Sequence, residues 1–167
     1  CFSAGAAMAQ SPVAGKPLAE QIETCAVCHG PGGVSSAPDV PSLAGQQPLY
    51  AVNQLILFRE TLRKSALMTP VAKGLQDDEI IKLAEYFAKL PPVPASDATA
   101  AVDPARMQRG AELAKTHRCD NCHLPTFAGR AQIPRISGQR EDYLGLAMRQ
   151  YRDSQRVGSD TTMIAAM

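Results

Sequence analysis

The chain has no tryptophan, and only four tyrosines and four phenylalanines serve all 167 residues. Aromatic side chains bury the most area per residue, so their scarcity makes for thin cores. No apolar run approaches the roughly 20 residues that a membrane-spanning helix needs. Charge of one sign is also missing: 17 Lys and Arg face 16 Asp and Glu, a formal +1, which gives no electrostatic case for nucleic acid as a partner. The length allows one ordinary domain or two small ones. A domain of roughly 60–80 residues with so few aromatics is marginal without a metal, a disulfide or another staple. A buried covalent cofactor would supply one.

Cysteine, by contrast, is present five times. Four of the five fall in two identical frames, Cys25-Ala-Val-Cys28-His29 and Cys119-Asp-Asn-Cys122-His123, while Cys1 stands alone. C-x-x-C-H is the attachment signature of c-type haem. Two thiols must reach the two vinyl groups of one porphyrin, and the adjacent histidine must swing beneath the ring to bind iron. A thioredoxin-like pair would need a βαβ setting and leaves the histidine idle. A single zinc site built from both pairs leaves the rest of the pattern unexplained.

That pattern is an internal repeat. A displacement of 94 residues lays Cys25, Cys28 and His29 onto Cys119, Cys122 and His123. A displacement of 93 lays Pro41-Ser-Leu-Ala-Gly45-Gln46 onto Pro134-Arg-Ile-Ser-Gly138-Gln139, Tyr50 onto Tyr143, Phe58 onto Tyr151 and Arg59 onto Arg152. A cofactor motif, a turn and an aromatic-Arg pair in one order make a duplicated unit.

The second axial ligand decides what the iron can do. Met68 lies 39 residues beyond His29, and Met163 lies 40 beyond His123; these are the expected ligands, with Met167 a competitor that requires a longer insertion. Met8, Met107 and Met148 read as gap-fillers or less, and His117 as a solvent-facing residue on the helix leading into the second frame.

Two C-x-x-C-H frames, each followed by Pro-x-apolar-x-Gly-Gln, a Tyr, a Phe/Tyr-Arg pair and a Met, resemble the dihaem cytochromes c of the c-four type over residues 17–167. The resemblance implies an all-α fold of two tandem class-I cytochrome c domains related by a pseudo-twofold. It implies two covalently attached haem c groups, held by Cys25, Cys28, Cys119 and Cys122 and ligated by His29/Met68 and His123/Met163. It further implies that the carbonyls of Pro41 and Pro134 accept a hydrogen bond from the proximal imidazoles. The function it implies is electron transfer in the periplasm, without a catalytic residue, between redox partners such as an oxidase, a dehydrogenase or another cytochrome.

The expected organisation is a signal-peptide remnant or lipoprotein tether over 1–16, a first domain over 17–90, a Pro/Ala-rich linker over 91–104 and a second domain over 105–167. Helices are expected at 17–24, 48–64, 77–90, 105–118 and 141–156. The helix at 77–90 would be capped by Asp77 and Asp78, with Ile80, Ile81, Ala84, Phe87 and Leu90 on its apolar face and Pro91 and Pro92 after it. Only four residues follow Met163, so the second domain lacks room for a closing helix, and the expectation is a natural chain that continues or another surface that covers it.

Two other functions compete. A dihaem peroxidase needs an open iron position, and the loop before Met163, longer by two residues, is the place for one. A subunit of a larger redox complex would use the uncovered surface of the second domain. Charge is uneven: residues 11–90 carry −1, residues 91–104 carry −2 and residues 105–167 carry +4, so an acidic partner would be steered toward the second domain. At the N-terminus, Ala7-Met8-Ala9 reads as a signal-peptidase site, and Cys1 as the alternative, a lipid-modified first residue that tethers the protein to a membrane. Either implies export.

Overall fold

The structure, a computed structural model, describes residues 11–93, 103–156 and 161–167. Cys1, Met8 and the middle of the expected linker lie outside the described residues. Eight α-helices are described: α1 (Leu18–His29), α2 (Pro48–Arg59), α3 (Met68–Ala72), α4 (Asp77–Lys89), α5 (Pro104–Thr116), α6 (Cys119–His123), α7 (Glu141–Arg152) and α8 (Thr161–Ala166). Among the described residues there is no β-structure beyond an isolated bridge between Arg130 and Ile133. The molecule is all-α, as expected.

In the first unit α4 packs against α1 and α2, and α3 packs against α2. Leu75, Ile80, Leu83 and Phe87 form the centre, with Val13, Phe58 and Ala72 around them. Leu75 and Ile80 are among the largest fully buried side chains, each worth about 1.5–3 kcal/mol of burial. The helix that carries them differs in detail from expectation. Its N-cap is Gln76, whose backbone N–H donates to Glu79 at 2.8 Å, while Asp77 and Asp78 sit inside the first turn. Leu83 faces the core and Ile81 is 46% exposed, because the apolar stripe follows the 3.6-residue period from Ile80 to Phe87. Arg59 ties the end of α2 to the start of α4, donating to the Leu75 carbonyl at 2.9 Å and to Asp77 at 2.7 Å.

The second unit repeats this layout with less to bury. Among the described residues its buried apolar side chains are Ala147 and Tyr151, the latter in the place of Phe58. α5 buries no residue, and Met107 and Leu113 on it are exposed. Arg152, the equivalent of Arg59, pairs with its neighbour Asp153 among the described residues.

The lead into the haem frame also differs. α1 runs unbroken through Cys25, Cys28 and His29. The corresponding stretch in unit two stops at Thr116, Arg118 adopts a left-handed conformation with φ 56°, and the motif forms the separate α6. Both α2 and α7 end earlier than expected, at Arg59 and Arg152, where Thr61 and Ser154 turn to positive φ.

After α4 the chain crosses the seam between the units. Gly45 and Gly138, equivalent under the displacement, lie against Pro92 and Val93 so closely that a Cβ on either would come within 2.6 Å of Pro92 or 2.0 Å of Val93. Both take positive φ, a conformation that glycine adopts without steric cost.

Candidate haem sites

Each cysteine–histidine frame is built on a helix, so the two cysteines, three residues apart, share one face and the histidine follows at the helix end. None of the four cysteines is tied up in a disulfide. Burial pushes the Cys25 thiol up to about 11, with Cys28 adding to the effect. Among the described residues no three His, Cys, Asp or Glu side chains converge as a metal site, so the two cysteine pairs do not join into one zinc centre.

Both histidines are buried, His29 at 7% and His123 at 6% exposure. His29 Nδ1 donates to the Pro41 carbonyl at 2.8 Å, and His123 Nδ1 to the Pro134 carbonyl at 2.9 Å. These are the bonds that the resemblance implies. They fix the tautomer with the proton on Nδ1, which leaves Nε2 as the ring nitrogen that could hold a metal. Burial also holds His29 below the usual imidazole range against the pull of Pro41, which keeps the ring neutral.

Met68 begins α3 and packs, half-buried, on the core cluster that also takes in Cys25. Met163 lies half-buried on α8, which packs on α7. Met167, the competitor, is 43% exposed. Met107 and Met148 are 61% and 48% exposed, surface residues rather than gap-fillers. His117 caps α5 in solvent.

A second cluster lies on the seam. Arg156 is 3% exposed and donates across it to the Tyr50 hydroxyl at 2.6 Å, while Arg63 reaches Tyr143 at 3.5 Å. Arg63 lies over the Phe58 ring at 4.6 Å and Arg156 over the Tyr151 ring at 4.7 Å. The 93-residue displacement takes Arg63 to Arg156 and Tyr50 to Tyr143, so the arrangement is a pseudo-twofold exchange. Gln54 breaks the symmetry: it accepts from Arg63 at 2.6 Å and from Arg156 at 3.1 Å, where unit two has Ala147.

No carboxylate forms an ion pair with either guanidinium among the described residues. Nε of Arg156 and of Arg135 are buried without a partner. Burial raises the Tyr50 phenol. Burial also pushes Tyr143 upward, but Arg156 and Arg63 outweigh it and hold that phenol below its ordinary value. Buried guanidinium charge with orphaned N–H groups calls for an anion, and the propionates of a haem fit that donor set. Sequence reading had aligned Tyr50 with Tyr143 but passed over Arg63 and Arg156, although the same displacement relates them.

The seam is closed by further cross-unit bonds. Gln47 donates to Ala128 at 3.0 Å, Asp142 accepts from the Asp39 N–H at 3.1 Å, and Arg140 donates to Ser35 at 3.3 Å.

Comparisons with known proteins agree with this geometry. A family model described as cytochrome C oxidase, cbb3-type, subunit III matches residues 10–87, which is the first unit. Cytochrome c4 of Thiocapsa roseopersicina is 35% identical over 93% of this chain and 85% of its own length. The thiosulfate dehydrogenase electron acceptor of Thiomonas intermedia is 29% identical over 92% of this chain and 74% of its own. The solved structure of Acidithiobacillus ferrooxidans cytochrome c4 matches with a TM-score of 0.75 at 30% identity, covering 86% of this chain and 88% of that one. Twin helical haem frames with tethered imidazoles, on two class-I units and with such relatives, leave one assignment: the chain belongs to the cytochrome c4 family, electron carriers rather than enzymes, and binds two haem c groups covalently.

Proposed function

We propose that the chain works outside the cytoplasm, in the periplasm, as a two-haem relay that takes single electrons from a dehydrogenase and passes them toward a terminal oxidase. Two relationships support the ends of that path: the Thiomonas relative is a thiosulfate dehydrogenase electron acceptor, and the family that unit one matches is named for an oxidase subunit. No described helix is long and apolar enough to cross a membrane; attachment, in this reading, would come through Cys1.

The observation that carries the site assignment is the pair of tethered imidazoles, one in each unit, at 2.8 Å and 2.9 Å from equivalent proline carbonyls. In this reading Cys25 and Cys28 hold one haem and Cys119 and Cys122 the other, over domains spanning 17–90 and 105–167. His29 with Met68, and His123 with Met163, are the axial pairs. The cofactor supplies a one-electron couple, raised in potential by methionine ligation. The chain's own residues hold each imidazole in place, fill both axial positions so that oxygen and peroxide find no vacant site, and keep solvent from the ring. Arg63, Arg156, Tyr50 and Tyr143 would receive haem propionates at the seam.

Replacing Cys25 and Cys28 together by Ala tests the assignment. Haem stain on a denaturing gel should fall to half that of the parent, with the second unit's haem retained. Complete loss, or no change, would contradict it.

A further inference from the structure

Two peptide groups on the seam each serve both units at once. The Pro41–Ser42 peptide accepts the His29 Nδ1–H on its carbonyl at 2.8 Å, and its N–H donates to Gln139 Oε1 at 2.9 Å. The Pro134–Arg135 peptide accepts the His123 Nδ1–H at 2.9 Å, and its N–H donates to Gln46 Oε1 at 2.8 Å. The glutamine in each case belongs to the opposite unit.

The carboxamide orientation is fixed rather than free. Gln139 Nε2 donates back to the Ser42 carbonyl at 2.9 Å, and Gln46 Nε2 to the Arg135 carbonyl at 3.1 Å. Each side chain therefore grips one residue by its N–H and its C=O, which forces the oxygen toward the N–H. Neighbouring backbone amides, Gln47 and Arg140, hold the same oxygens at 2.9 Å and 3.0 Å. Gln46 is 8% and Ser42 7% exposed, so water competes little for these bonds.

An amide whose N–H is engaged becomes a stronger acceptor at its oxygen, because the two hydrogen bonds polarise one resonance system in the same sense; each link strengthens the next by about 10–30%. A stronger acceptor on Nδ1–H makes the imidazole more basic toward the metal, which favours the ferric state and lowers the potential. We propose that Gln46 and Gln139 are positioning residues acting in trans, each setting the potential of the haem in the opposite unit through the one peptide group that holds its proximal histidine. The inference rests on His29 and His123 being the axial ligands. Docking of the two units is then itself a redox determinant: the carrier reaches its working potentials only with the seam closed.

The test uses the intact holoprotein, with both haems resolved in an NMR-monitored redox titration. Gln46→Ala should raise the potential of the His123 haem, shifting its reduction equilibrium by roughly two- to fourfold, and leave the His29 haem in place. Gln139→Ala should do the converse. In the ferrous protein the Nδ1–H resonance of the opposite unit's histidine should move upfield as its bond weakens. Gln47→Ala removes another cross-unit bond, to Ala128 at 3.0 Å, without touching either peptide, and should shift neither haem.

A shift that follows the glutamine's own unit, equal shifts at both haems, or no shift in either variant would overturn the inference. Should Gln46→Ala fail to fold, Gln46→Glu decides: it keeps an acceptor oxygen on Arg135 N–H and should lower the His123 haem more than the His29 haem, whereas a rise or an equal fall overturns the proposal. If the unaltered protein lacks ring-current-shifted imidazole signals from His29 and His123, the ligand assignment falls and takes this inference with it. If those signals are present and the trans effect is absent, only the inference falls.

Discussion

At the scale of single residues, the chemistry turns on what each buried polar atom is given. His29 and His123 hold their Nδ1–H against proline carbonyls, and a neutral imidazole fixed that way is a better ligand than a free one. Arg156 is the opposite case, a cation 3% exposed whose Nε is left without a partner, a group that a bound anion would satisfy. Met68 begins a short helix and packs against the same core cluster that Cys25 touches, so its side chain is held by packing. Met68→His should therefore keep a six-coordinate haem, since the site is pre-formed, while lowering its potential, because imidazole stabilises ferric iron more than thioether does. Near-infrared spectroscopy of the oxidised protein should show the sulfur-to-iron charge-transfer band halved. An unaltered band would make Met68 a core residue only.

At the scale of elements, the seam depends on short polar segments as well as helices. Asp142, in the first turn of α7, is held well below the usual carboxylate range by Arg140, with the Asp39 N–H from the other unit assisting. Because the folded value is depressed, its contribution to stability is present above the ordinary 3.8 and is lost as pH falls through the folded value. Urea unfolding followed by circular dichroism from about pH 4 to about pH 2 should show the parent losing more stability on acidification than Asp142→Asn. Parallel losses would mean that this carboxylate does not help to hold the seam.

The elements also show what could be read in advance. The haem frames and most of the α4 face (Ile80, Ala84 and Phe87, though not Leu83) were legible because they are local, whereas the proline–histidine bonds came only with the family resemblance. The exchange of Gln46 with Gln139 was visible only as aligned letters. That the two grip each other's backbone needs a twofold in space, which spacing along a chain does not contain. The break at Arg118 goes with an α5 that buries no residue and with Asp120 and Asn121 standing where α1 has Ala26 and Val27, weaker helix formers than Ala. The capping role passed from Asp77 to Gln76 because Glu79 closes a reciprocal box around the earlier residue.

At the scale of the whole molecule, one unit is well buried and the other is not. Unit one centres on Leu75, Ile80, Leu83 and Phe87, whereas among the described residues the buried apolar side chains of unit two are Ala147 and Tyr151, and α5 buries nothing. Local opening follows the shortage of apolar contact, so Met163 should leave its iron before Met68 does. Cyanide titrated into the oxidised protein should bind the His123 haem at the lower concentration. Equal binding at both sites would show that the thin packing around α8 is sufficient.

The relay itself is tested most directly by spectroelectrochemical titration of the holoprotein. The account predicts two electrons per chain, taken up in two one-electron steps. Each step should remove a methionine-to-iron charge-transfer band and leave a low-spin ferrous haem. One electron per chain, or a step with no such band, would contradict two covalent haems ligated by His29 with Met68 and His123 with Met163.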